Sequence, residues 1–124
     1  MTASVRRLGS LVAAVSLSAI QSSLEASETD VARSGQTLRA CYLAASAVYG
    51  LSKCDPAPML VGAVFGKCAQ DEAALRDAVR RLPPQPLIDN AALAESVVQI
   101  VRNEMTTQIQ SWLVDAQRNN HNCR

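Results

Sequence analysis

The spacing of four cysteines limits the folds open to this chain of 124 residues more than any other feature. Three of them, Cys41, Cys54 and Cys68, are almost evenly spaced, whereas the fourth, Cys123, stands near the far end. No two cysteines have the close spacing of a structural zinc site, and the redox motif C-x-x-C is missing as well. Four cysteines usually form two structural disulfides in a small exported protein, so this set is interpreted as structural on the condition that the chain is exported.

Apolar residues around these cysteines recur at the three- and four-residue steps typical of helices. A first helix is predicted over residues 30–51, and Gly50 is expected to bring it to its end. A second helix is predicted over residues 56–81 and ends before the prolines of residues 83–86. A third begins near residues 87–90 and is about 30 residues long. Long alternating runs typical of strands are missing. We therefore expect an all-α domain, a three-helix up-down-up bundle stapled by two disulfides.

Four cysteines allow three connectivities, and the predicted helices favour one of them. Cys41 and Cys68 lie about equally far from the first turn, so they come level in an antiparallel pair of helices. The third helix runs the full length of the second and returns the chain to the first turn, where Cys54 lies. We thus predict the pairs Cys41–Cys68 and Cys54–Cys123.

A disulfide requires the two helices to approach more closely than helices usually do. Small residues of the second helix, among them Gly62 and Gly66, would permit this approach. The same G-x-x-x-G pattern occurs where membrane helices dimerise, but this helix is charged at Lys67, Asp71 and Glu72. We interpret the two glycines as a packing device within the fold, and we expect no stable membrane span.

The N-terminal residues differ from the rest of the chain. An Arg-Arg pair at residues 6–7 precedes an uncharged run, residues 8–20, with the length of a signal-peptide core and too short to span a bilayer. We predict a signal peptide over 1–26 and a disulfide-stapled domain over 27–124, hence a periplasmic or secreted protein. The alternative is an extra N-terminal helix, whose apolar positions would be Val5, Leu8, Val12 and Val15.

One segment resembles a known group of proteins. Residues 54–72 contain a Cys-acid-Pro-Ala turn followed by the pattern A-x-F-G-x-C on the second predicted helix. In these features the chain resembles small exported bacterial helical proteins of uncharacterised function. The resemblance implies an exported helical protein and assigns no activity.

Few residues qualify for catalysis or for binding a cofactor. His121 is the only histidine, and Cys123 two residues on is expected to be oxidised. The acidic residues Asp71, Glu72 and Asp77 are interpreted as a solvated helix face. Their predicted ion partners are Arg76, Arg80 and Arg81. We expect no cofactor and no metal, and the net charge of +1 excludes a strong attraction to nucleic acid.

The third predicted helix carries apolar residues on more than one face. Two neighbouring helices cover a stripe of ordinary width, so part of this set should face water. The predicted partner surface consists of Val98, Ile100, Met105 and Trp112. Trp112 is included in this surface although the position favoured for it is the core, with a partly exposed apolar seam as the alternative.

These features predict a small exported binding protein that acts through its third helix. The partner would be another protein or a second copy of the chain. Two alternatives stay open: a protein that holds unfolded clients during envelope stress, and a small enzyme that uses the acidic cluster or His121.

Overall fold

The structure is a computed structural model that describes the backbone of residues 2–123 and the side chains of residues 27–123. Four α-helices follow one another along this part of the chain: α1 (Thr2–Ser52), α2 (Ala57–Lys67), α3 (Ala69–Arg80) and α4 (Asn90–Arg118). A 3-10 helix, His121–Cys123, follows α4. The described backbone contains no β-strand, so the all-α prediction is confirmed. The predicted signal peptide, residues 1–26, lies outside the described side chains.

The second predicted helix, residues 56–81, is two helices in the structure, so that prediction is wrong. α2 and α3 meet at Cys68, whose φ of −102° and ψ of 20° lie outside the helical range. Its N–H donates to the carbonyls of both Val64 and Phe65. Because buried positions continue across the break, from Val64 through Cys68 to Leu75, the apolar pattern carried no sign of it.

All four helices contribute to one hydrophobic core. The largest apolar side chains that are fully buried come from α1, α3 and α4, namely Tyr42, Leu38, Leu75, Ile109 and Leu113. α4 adds a continuous buried stripe of Ala94, Val98, Val101, Met105, Ile109 and Leu113. Each large apolar side chain contributes about 1.5–3 kcal/mol when fully buried. No helix among the described side chains offers an apolar stretch of the length needed to cross a bilayer.

Two disulfides join these helices, and both are the pairs predicted from the sequence. Cys41 on α1 is bonded to Cys68 at the break between α2 and α3, with the Cα atoms 6.0 Å apart. Cys54, in the segment after α1, is bonded to Cys123 in the 3-10 helix after α4, with the Cα atoms 5.2 Å apart. The second bond therefore ties the end of α4 to the turn between α1 and α2.

The glycines play roles different from those predicted. Gly62 and Gly66 are exposed, and a Cβ atom added at either would meet nothing within 4 Å, so they are not a packing device. Gly50 was expected to end the first helix, but it lies inside α1. A Cβ atom there would lie 2.5 Å from Cβ of Ala116 and 2.8 Å from the carbonyl oxygen of Leu113. Gly50 thus permits the close approach of α1 and α4.

Candidate functional site

A polar cluster lies in the core where α1, α3 and α4 meet. The Tyr42 hydroxyl donates to Oε2 of Glu72 at 2.5 Å. Arg102 donates through Nε to the same oxygen at 2.7 Å and through Nη2 to Oε1 at 2.6 Å. The Glu72 side chain is only 3% exposed. Both carboxylate oxygens therefore have charge-assisted partners in the paired geometry that arginine favours.

Phe65 adds α2 to this cluster. The Arg102 guanidinium carbon lies 4.9 Å from the centroid of the Phe65 ring, within cation–π range. The same ring packs edge-on against Tyr42, with centroids 5.2 Å apart. One side chain from each α-helix thus takes part, and we call Tyr42, Phe65, Glu72 and Arg102 the core cluster.

The charge states of the core cluster are fixed by its own contacts. Burial alone would raise the pKa of Glu72, but hydrogen bonds from Arg102 and Tyr42 outweigh it and lower this pKa below its ordinary value. Burial, together with the hydrogen bond to Glu72, raises the pKa of the Tyr42 hydroxyl. The hydrogen bond to Glu72 likewise raises the pKa of Arg102. None of these groups titrates near neutral pH, which is where a general acid or base needs its pKa.

The interpretation of the acidic residues as a solvated face is therefore wrong for Glu72. It lies four residues after Cys68 and three before Leu75, both buried, so helical spacing could have placed it on the inner face. Asp77 does behave as expected, because it forms an exposed ion pair with Arg80 at 3.4 Å.

Two of the four predicted partner residues belong to the core. Val98 and Met105 are buried, so the prediction that they form a partner surface is wrong. They share the inner stripe of α4 with Val101 and Ile109, which the other helices cover. The remaining two, Ile100 and Trp112, are 54% and 42% exposed. The exposed neighbours of Ile100 are polar, namely Gln99, Asn103 and Glu104.

Trp112 lies beside α1 and forms an apolar surface with it. A hollow of about 270 Å³ is lined by Ala47, Leu51, Trp112, Asp115, Ala116 and Asn119. Leu51 is 54% exposed, and Val48, three residues earlier on the same helix face, is 62% exposed. We call Val48, Leu51 and Trp112 the α1–α4 surface. Sequence reasoning missed its α1 half because Val48 fitted the apolar spacing of the first helix.

The C-terminal residues offer no thiol–imidazole pair. His121 is exposed in the 3-10 helix, and the Cys123 sulfur is consumed in a disulfide. Across the described residues, no group of three or more His, Cys, Asp or Glu side chains is arranged to hold a metal ion.

Comparison with known proteins gives no match, whether to a protein-family model, to a curated protein or to a solved structure.

Proposed function

We propose that this chain is a small exported binding protein whose partner surface is the α1–α4 surface. The observation that carries the proposal is that Leu51 and Trp112 line one hollow between α1 and α4. Together with Val48, one turn before Leu51 on α1, both are more than 40% exposed. A contiguous apolar patch is more informative than scattered exposed residues, and tryptophan is enriched at binding hot spots. This partner surface shares Trp112 with the one predicted from the sequence, but it is centred on α1 and not on α4.

The occupant we propose is an amphipathic helix of a partner protein. The α1 ridge beside an open hollow is the geometry in which a helix lays its apolar face into a groove. Asp115 lines the same hollow, and its 3.7 Å pair with Arg118 is exposed and weak, so a basic residue on the incoming helix would be favoured. The surface area that three large side chains can bury is smaller than the roughly 800 Å² that each partner buries in a stable interface. This favours a transient partner over a permanent dimer.

The proposal includes a three-helix up-down-up arrangement in which α2 and α3 together act as the middle helix. Support comes from two contacts between α1 and α4: Arg39 pairs with Glu104, and Gly50 lies against Ala116. The residue numbers increase in the same direction on both helices, as expected when the first and last helices of the bundle are parallel. It also includes export and a signal peptide over residues 1–26. Two disulfides support export, because they persist in oxidising compartments.

An enzyme is the weaker candidate. The core cluster is the best-connected set of polar groups described, yet its members satisfy one another and none lines the hollow at Trp112. A catalytic site needs convergent polar groups at a concave surface.

Photo-crosslinking tests the surface and its occupant together. A photoreactive residue replaces Leu51 in the full chain, expressed in its own host, and a matched chain carries it at Thr107, which is exposed on α4 and does not share the helix face of Trp112. We expect one predominant adduct from position 51 and none from position 107. A covalent dimer would show that the occupant of the surface is a second copy of this chain and not a partner helix. Many unrelated adducts would point to client holding, and identical adducts from both positions would contradict the proposed surface.

The identified partner is then added to the purified protein while the fluorescence emission of Trp112 is followed. Trp112 is the only tryptophan of this protein. We expect a blue shift on binding. Leu51→Ala should weaken binding about tenfold, since burial of a partly exposed leucine is worth about 1.5 kcal/mol. Thr107→Ala, the control, should leave the affinity unchanged.

A further inference from the structure

A second hollow lies between α1 and α2. Its volume is about 290 Å³, and its lining consists of Cys41, Ala44, Ala45, Val48, Tyr49 and Lys67. Lys67 is the only charged residue in this lining. We call this hollow the α1–α2 groove.

The α1–α2 groove has a direction. Lys67 precedes Cys68, which is bonded to Cys41, so the charged residue lies at the Cys41 end. Val48 and Tyr49 lie about two helical turns further along α1, or about 10 Å at 1.5 Å per residue. The groove is therefore an elongated apolar strip with one cation at one end.

Among the side chains of residues 27–123, no carboxylate pairs with the charge of Lys67. The ion pairs among residues 27–123 all involve arginine, and none joins a carboxylate to Lys67. Asp71, the carboxylate four residues on, forms no ion pair with it, and the helix break at Cys68 lies between them. An apolar strip that ends at an uncompensated cation is complementary to a molecule with an apolar chain and an anionic head.

We propose that the α1–α2 groove binds a free single-chain carboxylate amphiphile. The carboxylate contacts Lys67, and the chain lies along α1 towards Val48 and Tyr49. This site is separate from the partner-helix hollow, because the two linings have no residue in common. A groove about 10 Å long limits how much of the chain it can cover.

Calorimetric titration of the oxidised full chain tests the proposal. The probes are hexanoate, octanoate, decanoate and dodecanoate, each below its micelle-forming concentration. We expect binding to tighten about fourfold with each added methylene until the chain outgrows the groove, and then to level off. Chemical shifts should change at Ala44, Val48 and Tyr49.

Matched variants separate the two ends of the groove. Lys67→Gln should weaken decanoate binding up to about fivefold, the range for an exposed charge pair. Lys53→Gln removes the other lysine, which does not line the groove, and should have no effect. Ala44→Trp should fill the groove and abolish binding, whereas Ala73→Trp, at an exposed position of α3, should leave it intact.

Three results would overturn the proposal. If 1-decanol or decyltrimethylammonium binds as tightly as decanoate, the alkyl chain adsorbs to the groove and the carboxylate is not recognised. Equal effects of Lys67→Gln and Lys53→Gln would remove Lys67 from the site. Binding to anionic phospholipid vesicles but to none of the free carboxylates would assign the surface to a membrane. The partner-helix test is independent, since Leu51→Ala should leave decanoate binding unchanged.

Discussion

Glu72 accepts hydrogen bonds from two helices other than its own, from Tyr42 on α1 and from Arg102 on α4. Removing a carboxylate from water costs several kcal/mol, and only well-aligned partners offset that cost. Since its folded pKa lies below the ordinary value of 4.5, Glu72 contributes stability that is present above that pH. This contribution is lost as the pH falls through the folded pKa.

At the residue scale, we predict that Arg102→Leu lowers the free energy of unfolding by about 3 kcal/mol at neutral pH. The reason is that Glu72 would be left buried without its cation. At about pH 4 the difference from the native protein should shrink, because the variant can bind a proton at Glu72 instead of burying a charge. Urea unfolding at both pH values measures this difference.

The matched control for this prediction is Arg39→Leu. Arg39 forms an exposed pair with Glu104 at 3.1 Å, so its loss should cost no more than about 1 kcal/mol. If both variants lose equal stability, or if the Arg102 effect is independent of pH, Glu72 does not depend on Arg102 for its charge.

At the scale of elements, the spacing of α1 and α4 depends on one position. Gly50 allows the two backbones to approach, and hydrogen bonds at Gly50 and just after α1 hold them there. Gln117 donates to the carbonyl oxygens of Lys53 and Asp55, and Asn120 donates to that of Gly50 at 3.5 Å. The hollow that contains Leu51 and Trp112 lies beside this contact, so its shape follows from the helix spacing.

We predict that Gly50→Ala destabilises the protein by about 1–3 kcal/mol, the range for overpacking, although alanine is the better helix former. Thermal unfolding measures it. Gly62→Ala is the matched control and should stabilise by about 0.5–1 kcal/mol, because its Cβ atom meets nothing. Ala116→Gly should rescue Gly50→Ala only in part, since the Leu113 carbonyl stays close. Equal effects of Gly50→Ala and Gly62→Ala would contradict the close approach.

At the scale of the whole molecule, stability depends on two covalent loops. The disulfides separate their cysteines by 27 and 69 residues. In the chain-entropy model such loops contribute about 3.5 and about 4.4 kcal/mol. Their sum is comparable with the total of about 5–15 kcal/mol that typical domains have. Aromatic residues make up only 3% of the chain, so few large side chains are present to replace that contribution.

We predict that Cys54→Ala with Cys123→Ala costs about 4 kcal/mol and leaves the helices folded. Removing both disulfides, with all four cysteines changed to alanine, should leave the protein largely unfolded. Circular dichroism and urea unfolding measure both variants. A four-alanine protein that keeps its helical signal and a cooperative transition would show that the packed core suffices.

The sequence by itself determined the helical class and the pairing of the cysteines. Apolar spacing is a local property, and helix length fixes which positions come level, so Cys41 could be matched with Cys68 and Cys54 with Cys123. The exposed position of Ile100 also followed from the excess of apolar residues on the last helix.

Only the tertiary structure decided which apolar and polar side chains are covered. Spacing tells which residues share a helix face, but the width of the covered stripe depends on where neighbouring helices lie. For that reason Val98 and Met105 are buried while Val48 and Leu51 are exposed. Glu72 could become a core residue because Arg102, 30 positions away in the chain, lies against it in the fold, and no local pattern records such a partner.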